Sequence, residues 1–207
     1  MSTNFLLASL LGCHDTWKES GKKGLAVFVI PSIKSSNGYY WFSRYATDWS
    51  RAPHTPIVDT RDMVNQLTQI SNSQNAKIDF LSITAHGTTK GSLFGLSTKS
   101  LFKIGYDSVT VQVLTNPADP VTMELKRLQS VLAPDAVVEL RACVVGGDLD
   151  LIREFSNALG GVRVIASADI QWGPYPGLSG DRYTIRVCEM GHCNSVAGYD
   201  GSRTCGP

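Results

Sequence analysis

Apolar positions along this chain fall into two rhythms that take turns. Short, nearly unbroken apolar runs occur at Leu25–Ile30, Ile78–Thr84, Ala136–Leu140 and Val162–Ala166, a length that suits strands buried on both faces. The stretches between them repeat with helical spacing. Asp59 stands where an N-cap belongs, ahead of Met63, Val64, Leu67 and Ile70, and Ser71 to Asn75 stops the pattern. Asp119 and Pro120 open a second helix with Val121, Leu125, Leu128 and Leu132 on one face, closed by Pro134. Asp148 caps a third, with Leu149, Ile152, Phe155 and Leu159 facing inward and Gly160-Gly161 as its stop. This alternation predicts an α/β fold, a mostly parallel sheet covered by helices on both faces. Tyr183 to Val187 is expected as a last strand near the sheet edge.

Two regions do not follow either rhythm. The aromatic-rich stretch from Tyr39 to Trp49 resolves into neither helix nor strand and is read as a lid or as packing. Thr88 to Asn116 is rich in Gly, Ser and Thr, with alternating pieces such as Val109 to Val113, which predicts hairpins or an insertion. No internal repeat or low-complexity linker divides the chain. A single domain over residues 1–207 is expected, with residues 1–23 as an amino-terminal arm and 188–207 as a Cys-containing carboxy-terminal extension.

Composition narrows the classes of partner. The 207 residues are 43% hydrophobic and carry a formal charge of +1, with Lys and Arg scattered rather than striped, which argues against a nucleic-acid surface. No apolar run approaches the roughly 20 residues that cross a bilayer, so a membrane-spanning role is not expected. Asn4 to Cys13 faintly resembles a lipoprotein signal, but no positive residue precedes its apolar part, and a buried helix or strand is the preferred reading. Among the five cysteines, Cys188, Cys193 and Cys205 sit together near His192. Zinc binding, one disulfide and reduced packing thiols all remain open for that group.

The chemistry enters at two strand ends. The run from Ile78 to Thr84 empties into a loop at His86-Gly87, and the run from Ala136 to Leu140 delivers Arg141-Ala142-Cys143. Open α/β sheets place their sites at the carboxyl ends of parallel strands, so these two side chains are expected to converge although they are far apart in sequence. A thiol titrates near pH 8.5 and is mostly protonated at neutrality; a neighbouring imidazole accepts its proton and later returns it to a leaving group. Gly87 lets a substrate carbonyl approach its N–H, and the Cys143 N–H is the natural second donor to an oxyanion. Ala142, Gly146 and Gly147 suit a tight turn that exposes the sulfur. Taken singly, Cys143 reads as a small buried hydrophobe and His86 as a structural residue. The ordered pair is what points to catalysis.

Apolar strand then His86-Gly87, helix, apolar strand then Ala142-Cys143: this order resembles the clan CD cysteine peptidases, the group of caspases, legumains, clostripain, gingipains and separases. The resemblance covers residues 78–170. It implies a caspase-like three-layer sandwich with a mostly parallel central sheet, His86 as base, Cys143 as nucleophile and Gly87 in the oxyanion hole. Caspases carry Gln-Ala-Cys-Arg-Gly, whereas this chain has Arg141-Ala142-Cys143-Val144-Val145-Gly146, and an Arg at the pocket border would favour acidic substrates. The strand after the nucleophile often shapes the pocket in this clan, which nominates Ser167, Asp169 and Trp172 as substrate contacts; Asp169 would favour basic ones. Asp79 and Asp169 are candidates to orient His86. The resemblance thus implies an endopeptidase acting on polypeptides through a thioester acyl-enzyme, with no metal and no organic cofactor. It would be a cytoplasmic or secreted effector, or a self-processing enzyme cutting in Gly-rich loops around Asp148, Asp150 or Asp181. The alternatives are a catalytically inactive caspase-like binding or adaptor module, and an unrelated Rossmann-like hydrolase or transferase.

Overall fold

The computed structural model describes residues 24–32, 54–90, 99–142, 145–168 and 184–197. The first described strand, β1 (Leu25–Pro31), is followed by β2 (His54–Ile57), helix α1 (Thr60–Gln74) and β3 (Ile78–Thr84). A small antiparallel sheet comes next, built from β4 (His86–Lys90), β5 (Lys99–Ile104) and β6 (Asp107–Val109). Helices α2 (Val111–Thr115) and α3 (Pro120–Leu128) lead to β7 (Leu132–Arg141), a 3-10 turn at Val145–Gly147, α4 (Leu149–Ala158) and β8 (Arg163–Ser167). Strands β9 (Thr184–Glu189) and β10 (His192–Ala197) close the described chain. The larger sheet has the order β2-β1-β3-β7-β8-β9-β10; the first five strands are mutually parallel, β9 runs antiparallel to β8, and β10 antiparallel to β9. The fold is therefore α/β with a mostly parallel sheet, compatible with three layers.

The reason for the parallel core lies in the strand sequences. Val27 and Val29, Leu81 and Ile83, Val138 and Leu140, and Val164 and Ala166 project to one face. There they meet Met63, Val64 and Leu67 of α1, Leu125 and Leu128 of α3, and Leu151, Ile152 and Phe155 of α4. Phe28, Ile30, Phe80, Val137 and Ile165 project to the opposite face and are buried as well, so both faces are covered. Each helix starts where its cap predicts. The Asp59 carboxylate accepts from the Asp62 N–H at 2.8 Å, Asp119 from Val121 at 2.9 Å and Asp148 from Leu151 at 3.1 Å. Asn75 ends α1 in the left-handed region with φ 48°.

Several expectations are corrected. The helix opened by Pro120 ends at Leu128, and Leu132 and Pro134 already belong to β7. The alternating piece Val109 to Val113 splits: Val109 ends β6, and Thr110 caps the short helix α2 by accepting from the Val113 N–H. His86-Gly87 is not a loop; it begins β4. Asp148 caps α4 as expected, and Asp150 lies in its first turn rather than in a loop. Residues 188–197 are not an extension but the end of β9 and all of β10. Two strands had no sequence reading, β2 and β10, and both are edge strands among the described residues. Pro56 is tolerated in β2 for that reason. The aromatic stretch Tyr39 to Trp49, Cys13 and Cys205 lie outside the described residues.

The small sheet is pinned at its β5–β6 turn, the end at which His86 starts β4. The Tyr106 N–H donates to Val58 O at 2.8 Å, and the Thr60 N–H donates to Asp107 Oδ2 at 2.8 Å, so the β5–β6 turn is docked on the start of α1. Gly105 makes this approach possible: its φ is 61°, and a Cβ there would stand 1.9 Å from Val58 O. Replacing Gly105 by Ala is expected to cost about 2 kcal/mol or more, since it adds a backbone collision to an unfavourable φ; equilibrium denaturation that shows no loss would remove this clamp from the account. Of the readings open for the terminal cysteines, the structure has Cys188 and Cys193 joined by a disulfide between directly opposed residues of β9 and β10. Closing so short a loop restrains the unfolded chain modestly. Reduction should lower the unfolding free energy by about 2 kcal/mol, measured in guanidinium with and without dithiothreitol.

Candidate functional site

The pairing of β3 with β7 puts the two candidate strand ends level. Leu81 pairs with Val138, Ser82 with Glu139, Ile83 with Leu140 and Thr84 with Arg141. One step further, the Ala85 N–H still donates to Arg141 O at 3.0 Å, so the two chains remain bonded as they leave the sheet. Ala85 and Ala142 are buried at 1% and 0% exposure, and a larger side chain at either position would separate the two exits. These ends lie beside a switch in strand order: β1 is followed by β2 on one side, and the chain then crosses back to β3 on the other. Crevices form at such points in open α/β sheets.

His86 opens β4 immediately past Ala85, opposite Lys103 of β5, and Gly87 is opposite Phe102. The 3-10 turn Val145–Gly147, which follows Cys143 and Val144 in the chain, packs against β4, β5, β8 and β9. Both sides of Cys143 are thus next to the segment that carries His86: Arg141 through the Ala85 bond, and Val145 through the turn. Cys143 itself, Asp169 and Trp172 lie outside the described residues, and Ser167 is placed only as the last residue of β8.

The electrostatics favour a neutral imidazole. His86 is solvent-accessible, yet its surroundings remove part of its hydration, and this lowers its pKa from the usual 6.5; the Lys103 ammonium lowers it further. Arg141 projects to the face opposite the helices. Its Nε donates to Glu139 Oε2 at 2.8 Å, Ser82 Oγ donates to the same oxygen at 2.9 Å, and the guanidinium sits 5.9 Å from the centre of the Phe28 ring. Asp79 does not orient His86. It is the second residue of β3, at the other end of the strand and about 20 Å away along the chain direction, where Oδ2 accepts from the Leu25 N–H at 3.0 Å.

Lys103 was not marked in the sequence as a neighbour of His86, because the pairing depends on the register of an inserted hairpin. Among the described residues no group of three or more His, Cys, Asp or Glu could hold a metal ion, and no helix is long and apolar enough to cross a membrane.

The histidine's behaviour follows with a definite sign. Because the folded pKa lies below the unfolded one, the unfolded chain binds the proton more readily between the two values. Stability is therefore lost as pH falls from 6.5 toward the lowered value and is flat below it. NMR titration should find His86 below 6.5, and K103Q should move it upward; no movement would take Lys103 out of the site. No protein-family model matches the chain, and no curated protein or solved structure matches it either.

Proposed function

We propose that the protein is a cysteine endopeptidase with a caspase-like fold, in which His86 and Cys143 act as a dyad on a polypeptide substrate. The observation that supports this reading most is the hydrogen bond from the Ala85 N–H to Arg141 O, one residue before the imidazole and two before the thiol. It ties together the two strand exits that the resemblance assigns to base and nucleophile, at the carboxyl edge of a parallel sheet.

In the proposed reaction the neutral His86 ring takes the proton from the Cys143 sulfur, and the thiolate attacks the scissile carbonyl carbon. Negative charge develops on the carbonyl oxygen and is met by the N–H groups of Gly87 and Cys143. Collapse breaks the C–N bond, the imidazolium returns its proton to the departing amine, and a thioester remains. Water, deprotonated by His86, then attacks the thioester; the acid leaves and the thiol is restored. A resting imidazole kept neutral by desolvation and Lys103 suits the first step, because a protonated ring cannot accept the proton. Substrate side chains are assigned to Arg141, Ser167, Asp169 and Trp172. Self-processing, if part of this activity, fits Asp181 better than Asp148 or Asp150, since cutting at the latter two would break the first turn of α4.

Replacing Cys143 by Ala should abolish cleavage of a peptide library while leaving the thermal transition in place, and H86A should cost several powers of ten in kcat/KM. The acid limb of the pH–rate profile should fall below the usual histidine value of 6.5. A thiol-reactive peptide electrophile should label Cys143 faster than Cys13. Unchanged cleavage by the C143A variant would refute the assignment, and equal labelling of the two thiols would favour the binding-module alternative.

A further inference from the structure

The disulfide between Cys188 and Cys193 sits in a hairpin that other contacts already fasten. Strands β9 and β10 are joined by the two-residue turn Met190-Gly191, both residues in the left-handed region with φ 48° and 80°. Main-chain pairing runs from Glu189 opposite His192 to Thr184 opposite Ala197, and the Met190 N–H ties the tip to Gly161 O at 3.0 Å. The two cysteines are only 5 apart in sequence, so their bond restrains the unfolded chain weakly.

Its surroundings are not those of a surface staple. Cys188 is fully buried in the core between the sheet and α4, and the half-buried Cys193 packs on that core from the edge strand. Cys193 Sγ lies 3.8 Å from the carbonyl oxygen of Leu149, the first residue of α4. Leu151, Ile152 and Phe155 of the same helix are 0% exposed, which leaves no slack beside the sulfurs. Two separate thiols stand at van der Waals distance, well beyond a covalent bond, and in a close-packed layer the added room has to come from a neighbour. The hairpin tip is tied to Gly161 and β9 is held between β8 and β10, so the element that can yield is the first turn of α4. That turn runs back into Val145–Gly147, which packs against β4, β5, β8 and β9.

We propose that the Cys188–Cys193 bond is a redox switch, opened by a dithiol reductant, whose two states differ in the seating of the first turn of α4. Such a switch operates whether or not the chain cleaves peptides. A thiolate of the reductant attacks the sulfur of Cys193, the less buried of the two residues; the sulfur–sulfur bond breaks with its electron pair on Cys188, which takes up a proton. The second thiolate of the reductant then attacks its own first sulfur in the mixed disulfide and releases Cys193, which is protonated in turn. The chain gains two electrons and two protons, and the dithiol leaves as a disulfide.

The test is amide hydrogen exchange on the full-length protein, oxidised and after dithiothreitol, with alkylation and mass spectrometry to follow the two thiols. Reduction should proceed without denaturant and reverse when the dithiol is removed under air. The amides of Leu151 and Ile152, which donate to Asp148 Oδ1 and to Asp148 O, should then exchange about tenfold faster, over and above any change at the Met63 amide of α1, which reports loss of global stability. C193S should show the fast pattern at all times and ignore dithiothreitol; C193A serves the same purpose if C193S does not fold. Equal acceleration in α1 and α4 makes the bond a simple staple and overturns the inference. So does a bond that opens only when the protein unfolds, or a response to dithiothreitol that persists in C193S or C193A.

Discussion

The register of β3 against β7 is the constraint from which the rest follows. Parallel strands buried on both faces cannot slip by one residue without sending every side chain to the wrong side, and here each side is already filled. Leu81, Ile83, Val138 and Leu140 must meet the helices, while Phe80 and Val137 must not. That requirement brings Thr84 level with Arg141, and the exits to His86 and Cys143 inherit the alignment. The alignment of the two strand exits at the rim is thus a by-product of apolar packing well below it.

Much of this was readable from residues alone, for identifiable reasons. Asp59, Asp119 and Asp148 announce helix starts because a short carboxylate followed by apolar residues at helical spacing has few other uses. Four of the five interior strands, β1, β3, β7 and β8, announce themselves by density of Val, Ile and Leu. What escaped was decided by tertiary pairing. β2 is four residues long and contains a proline, and β10 alternates Cys, Asn and Ser with little apolar content, so neither carries a local signal. Pro134 reads as a helix stop in the sequence, but the helix already ends at Leu128 and the proline is carried within β7. The candidate site divides along the same line. His86 and the strand β3 that leads to it were legible, whereas Lys103 becomes its neighbour only through an antiparallel register that no window of sequence encodes.

Charge at the carboxyl edge is arranged by depth. Lys103 is exposed and acts on the imidazole through space, where solvent weakens it. Arg141 is mostly covered and its charge is met by Glu139, whose own acceptor capacity is shared with Ser82. Such a network sets side-chain positions more than it adds to stability, since desolvation offsets much of the attraction.

The clamp at Gly105 gives the molecule a property that its rim alone would not have. The strand that starts at His86 pairs with β5, and His86 is opposite Lys103, just short of the turn fastened to Val58, so the imidazole stands at the same end of the small sheet that the first turn of α1 holds. Alterations around Val58, Asp59 or Asp107 would therefore tilt the ring without touching it, so the bearing of an exposed imidazole is set partly by the entry to a helix on which it does not sit.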